Sequence, residues 1–113
     1  MFISTTENIP GASYRVLGIA QGAVVQSKHI GRDFMAGLKT IVGGEIKGYT
    51  EMMQEARTIA TRRMCEQAAQ MGADGVVGVR YATSAVVQNA AEVLAYGTAV
   101  KLLDASSQEP PAA

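Results

Sequence analysis

Cys65 and His29 are the only cysteine and the only histidine in the chain. Soft metals take thiolate and imidazole ligands, but in clusters. Here the two candidates lie far apart in sequence, and no spaced motif accompanies either. A ring of subunits could gather one Cys65 from each copy around its axis. As a nucleophile, Cys65 would have Arg62 nearby on a helix as a cationic neighbour. No second histidine exists to act as base, and His29 follows a lysine in a stretch that reads as a loop. Glu51 and Glu55 stand one helical turn apart and could form an acid/base pair, though the same spacing suits a solvated helix face. Gly43-Gly44-Glu45-Ile46-Lys47-Gly48 precedes a helix as phosphate cradles do. It has neither the Walker A pattern nor the dinucleotide spacing. Each of these features also has a plain structural reading: a packed thiol, a solvated histidine, a solvent face, a flexible connection. The residues alone name no activity. They leave two classes open: a binding protein holding a small ligand or a metal between subunits, and an enzyme of unknown reaction using Cys65 or the Glu51/Glu55 carboxylates.

These residues need a scaffold, and the stretch Tyr49 to Gly72 is its centre. It contains good helix formers, no proline and no internal glycine. On a 3.6-residue wheel Tyr49, Met52, Met53, Ala56, Ala60, Met64 and Met71 share one face. Glu51, Glu55, Thr58, Thr61, Arg62 and Glu66 fall opposite, and Cys65 falls on that polar side. The methionines read as core filling rather than as soft ligands. Gly72 is placed to end the helix. Three strands are expected around it, over Tyr14–Gln26, Val76–Val87 and Glu92–Leu103, the last two joined by a turn at Gln88–Ala91. Each pairs a face of large residues with a face of small ones. The small faces are Gly18, Ala20 and Gly22, then Gly78 and Ala82, then Ala95, Gly97 and Ala99. Such faces let another backbone approach closely. A short helix is expected over Arg32–Val42, with an exposed glycine-rich loop after it. Phe2–Thr6 reads as a short strand with no evident partner in its own subunit, which invites pairing with another chain. One helix cannot cover both faces of a sheet, so a partner subunit is the expected cover. Residues 104–113 are polar and proline-containing and read as a disordered tail.

Composition narrows the partners. In 113 residues, ten basic and ten acidic side chains cancel and Trp is absent. Nucleic acid and anionic membrane surfaces call for a basic excess or patch, so neither is expected. Apolar residues make up 48%, enough for a packed core. No run approaches the roughly 20 apolar residues of a membrane span. One cysteine and the absence of a signal-peptide pattern point to the cytoplasm.

From Gly31-Arg32-Asp33-Phe34 through Gly43-Gly44, the chain resembles the YbjQ-like family, which carries a heavy-metal-binding label. Further matching elements are Ser4-Thr5-Thr6, Tyr49, Glu55-Ala56-Arg57, the run Met71 to Gly78, and Tyr96-Gly97-Thr98-Ala99-Val100. The likeness extends over Ile3–Lys101, so residues 1–103 read as one domain. It implies an α+β fold: a β-α-β-β subunit, similar to that of a dodecin, with a three-stranded antiparallel sheet packed by one long helix plus a short one. It also implies a ring-shaped homo-oligomer, usually a pentamer, in which short extra strands help assembly. It implies no particular activity, and a metal only through the label. The polar cluster it suggests is Arg32, Asp33 and Arg57. With Gly43 and Gly44 these are the candidate ligand-binding residues. Arg57 could take an anion, or pair with a carboxylate at an interface.

Overall fold

The computed structural model describes residues 1–27, 47–87 and 90–103. Strand β1 is Phe2–Ile3 and β2 is Tyr14–Ser27. Helix α1 is Lys47–Gln70, β3 is Gly75–Val87 and β4 is Ala90–Leu102. The sheet order is β1-β3-β4-β2. Strand β4 runs antiparallel to both β2 and β3, as the sequence suggests. The expected short helix and residues 43–46 of the loop after it lie outside the described residues, as does the tail; Lys47 and Gly48, expected in that loop, instead form the start of α1.

The sheet has four strands rather than three and is mixed, which corrects the expectation of an unpartnered N-terminus. β1 pairs parallel with Gly75 and Val76 of its own chain. The pairing continues past β1: the Ser4 N–H donates to the Val76 carbonyl at 3.0 Å, and the Val79 and Gly78 N–H groups donate to Ser4 and Thr6 carbonyls at 3.0 and 2.8 Å. Two glycines permit it. Gly75 leaves room for the Phe2 ring, which any Cβ there would strike. Gly78, at φ +62°, sits in a bulge where the β3–β4 register shifts. The bulge turns successive N–H groups toward the N-terminal segment. Arg80 adds a bond from Nη1 to the Thr5 carbonyl at 2.9 Å.

Helix α1 lies on the small-residue face of β2 and β4; in β3 the bulge reverses the expected faces, so Tyr81 stands beside Ala95 on the helix side and Ala82 beside Leu94 on the other. The buried positions of α1 are Met52, Ala56, Ala60, Met64 and Ala68. That is a strict four-residue row, inclined to the helix axis, and such a row follows the twist of a sheet beneath it. Below it sit Ala20, Val24, Val93, Ala95 and Ala99, all in one buried cluster. Contact is close enough that a Cβ at Gly22 would lie 2.5 Å from the Ala60 carbonyl oxygen. Two wheel assignments are corrected. Tyr49 is exposed, and Cys65 is half-buried against the core rather than on the polar side. Both follow from the drift of a four-residue row around the helix, which the straight stripe ignores. The helix ends in paired backbone bonds, Ala73 N–H to the Ala68 carbonyl and Gly72 N–H to the Ala69 carbonyl, both 3.0 Å. With Gly72 at φ +85° this is the Schellman arrangement that Gly72 was placed to make.

The helix also covers one sheet edge. Arg63 Nη1 donates to the Ala23 carbonyl at 2.7 Å, and the Gln21 N–H donates to Gln67 Oε1 at 2.6 Å. Two side chains one turn apart thus occupy outward-facing groups of edge strand β2. Opposite the helix, no described element covers the sheet face. Ile19 is 74% exposed and Val25 59%. By register they stand beside Thr98 and Glu92, with Ala23 beside Leu94 and Gln21 beside Tyr96. The distal half of β3, Tyr81–Val87, is exposed throughout, because α1 sits over β2 and β4. No described helix is long and apolar enough to cross a membrane.

Candidate functional site

Of the ligand-binding candidates, Arg32, Asp33, Gly43 and Gly44 lie outside the described residues, as does His29. Arg57 is described, and it lines a groove. Its neighbours there are Gln54, Thr58, Thr61 and Arg62 on α1 and Tyr81 on β3. The groove is open and measures about 630 Å³. The helical residues follow one another at spacings of three, one, three and one, which puts them on one flank of an α-helix. Tyr81 closes the far wall because α1 does not extend over this part of β3.

The hydroxyl protons in the groove can be assigned. Thr58 Oγ1 donates to the Gln54 carbonyl at 3.1 Å, and Thr61 Oγ1 donates to the Arg57 carbonyl at 2.7 Å. Thr61 Oγ1 and Tyr81 Oη are 2.7 Å apart. The Thr61 proton is committed to the Arg57 carbonyl, so Tyr81 supplies the proton of this bond. All three hydroxyls therefore show lone pairs to the groove, and its donors are the guanidinium groups and the Gln54 amide. The Arg57 guanidinium has no hydrogen bond or ion pair among the described residues. Arg62 Nε is 3.8 Å from Glu66 Oε1, with both side chains over 60% exposed. A pair of that kind contributes little and leaves the outer nitrogens of Arg62 free.

The other candidates do not come together. Glu51 and Glu55 are exposed on the helix surface. Cys65 packs beside the core, and Arg62 turns to Glu66 rather than to the thiol. Among the described residues no three of His, Cys, Asp or Glu converge as metal ligands. Met52 and Met64 are buried and fill the helix–sheet contact. Tyr81 was not singled out from sequence, and Arg62 was noted only as a neighbour of Cys65, not as a ligand-binding residue. Arg62 read as part of a solvated face, and nothing local ties Tyr81 to the helix.

Residues 1–103 match the sequence model of the YbjQ family, which is described as "Putative heavy-metal-binding". The chain belongs to this family. YbjQ relatives in three bacteria are each called a UPF0145 protein. That of Vibrio campbellii is 64% identical over 104 residues, covering 91% of this chain and all of the relative. That of Helicobacter hepaticus is 65% identical, covering 80% and 88%. That of Thermotoga maritima is 59% identical, covering 90% and 97%. The fold matches a crystal structure of a DUF74-family protein of unknown function from Pediococcus pentosaceus, with a TM-score of 0.61 at 19% identity, over 91% of this chain and 98% of that one. The YbjQ description invites a test of the metal. Heavy metals need several thiolate or imidazole ligands on one centre. The described part of this chain brings only the half-buried Cys65 thiol, so its residues do not fit such a centre within one subunit.

Proposed function

We propose that this YbjQ-family chain is the subunit of a closed cytoplasmic homo-oligomer, a pentameric ring, that binds a small ligand and is not an enzyme. The observation that carries the proposal is the open sheet face. Ile19, Ala23, Val25, Leu94 and Tyr96 line it among Gln21, Glu92 and Thr98, and no described element covers it. Ile19 and Val25 present apolar area in this face for a partner subunit to cover. Burying a Val or Ile side chain fully is worth about 1.5–3 kcal/mol, so covering Ile19 and Val25 from their present exposure supports association by roughly 2–4 kcal/mol in all. The number five rests on the family resemblance. The N-terminal segment, paired at home, is no longer the connecting strand, so the open face replaces it as the contact. The enzyme alternative gains nothing from the described residues, since none of them sets a base beside Cys65 and Glu51 and Glu55 do not line the groove. Ile19→Lys places a charge on the open face while leaving the helix side untouched. Sedimentation of this variant should show monomers with unchanged circular dichroism. An intact assembly would show that the open face is not the contact.

A further inference from the structure

We infer that the groove between α1 and β3 is a binding site for a small hydroxylated oxyanion, a phosphate monoester or a carboxylate that also carries hydroxyl groups. This rests on the binding-protein reading and names the class of ligand. Charge comes first. In a chain with no net charge, two guanidinium groups line one groove of about 630 Å³, and no described carboxylate lines it with them. The Arg57 guanidinium has no partner among the described residues, and Arg62 is held only by a long, exposed pair. Guanidinium is the side chain suited to bidentate contact with carboxylate or phosphate. The volume lies within the range of small-molecule sites.

The hydroxyl groups then set the rest of the ligand. Thr58, Thr61 and Tyr81 have their protons committed within the protein. They can accept hydrogen bonds but not donate them without rearrangement. An oxyanion, which has only acceptors, is therefore served by Arg57, Arg62 and the Gln54 amide. The accepting oxygens are matched by hydroxyl groups on the body of the ligand. The Tyr81 ring supplies an apolar wall, and the Thr61 contact holds that ring in place. A bare anion would use one half of the groove, and a neutral sugar the other.

Calorimetry on the full chain with inorganic phosphate, glucose 6-phosphate and glucose tests this. Glucose 6-phosphate should bind more tightly than phosphate, and glucose should bind weakest. Arg57→Gln and Arg62→Gln should each weaken glucose 6-phosphate about tenfold to a hundredfold, the loss expected for one charge-assisted contact. Both side chains are exposed, so neither variant threatens the fold. Tyr81→Phe should weaken glucose 6-phosphate and leave phosphate unchanged, since it removes an accepting oxygen and the bond that holds the ring to Thr61 but no donor that faces the ligand. Glu51→Gln, outside the groove, should change neither. Absence of saturable glucose 6-phosphate binding, or binding that Arg57→Gln leaves intact, overturns the site. Loss of the site in an intact ring would leave the assembly standing. Groove binding by a monomer would do the reverse.

Discussion

Gly22→Ala is the smallest change that tests how α1 meets the sheet. The new methyl carbon would sit 2.5 Å from the Ala60 carbonyl oxygen and would also overlap the backbone of Arg63 and Met64. A carbon prefers roughly 3.5 Å or more from a heavy atom, so the helix must lift by about 1 Å. The obstructing atoms are backbone, so no side-chain rotation relieves them. Lifting loosens the packed row from Met52 to Ala68. It also stretches the bonds from Arg63 to the Ala23 carbonyl and from the Gln21 N–H to Gln67, now 2.7 and 2.6 Å. Overpacking alone costs about 1–3 kcal/mol. Two weakened bonds, one from a charged donor, bring the expected total to about 3–5 kcal/mol. Urea unfolding at fixed protein concentration reads it, since assembly makes stability concentration-dependent. For a slope of about 1–3 kcal/mol per molar, the midpoint should fall by at least about 1 M. Adding Ala60→Gly should not rescue the variant, because the clash is with the carbonyl and not with the Ala60 methyl. An unchanged midpoint for Gly22→Ala, or rescue by Ala60→Gly, would refute this account of the contact.

Ala60→Leu pushes a larger side chain into the same contact and should cost roughly 1–3 kcal/mol in urea unfolding. Deleting residues 1–8 should lower the unfolding midpoint of the subunit, because it strips Gly75–Val79 of its pairing, while leaving the assembly state at native conditions unchanged; a ring that falls apart with subunit stability intact would restore the segment as an intersubunit strand. Zinc titration of the Ile19→Lys variant should show no stoichiometric, chelator-resistant ion, since a structural site needs four ligands; retained zinc in a monomer would contradict it.

The helix, the three long strands and the small-residue faces of β2 and β4 were legible because they are written in local periodicity; in β3 the bulge after Val77 turns Ala82 away from the helix. Gly72 could be assigned to the helix end for the same reason, since its left-handed φ is a local demand. What could not be read was long-range. Phe2–Ile3 is too short to declare a partner, and its place beside Gly75 depends on a ring resting where a side chain is missing. Tyr49 and Cys65 changed sides because the buried row follows the sheet's twist. Arg57 was found through a family resemblance, but Arg62 and Tyr81 were not, because one looks like solvated surface and the other meets the helix only after the sheet forms. Arg63 and Gln67 were equally silent, since their task, covering the edge of β2, exists only in the folded chain.

The central claim is that this subunit does not stand alone. Native mass spectrometry of the full chain at micromolar concentration tests it most directly. A pentameric ring should appear as a single closed species at about five times the 11.9 kDa of one chain, near 60 kDa, with no open-ended ladder. A species at the mass of one chain would contradict it.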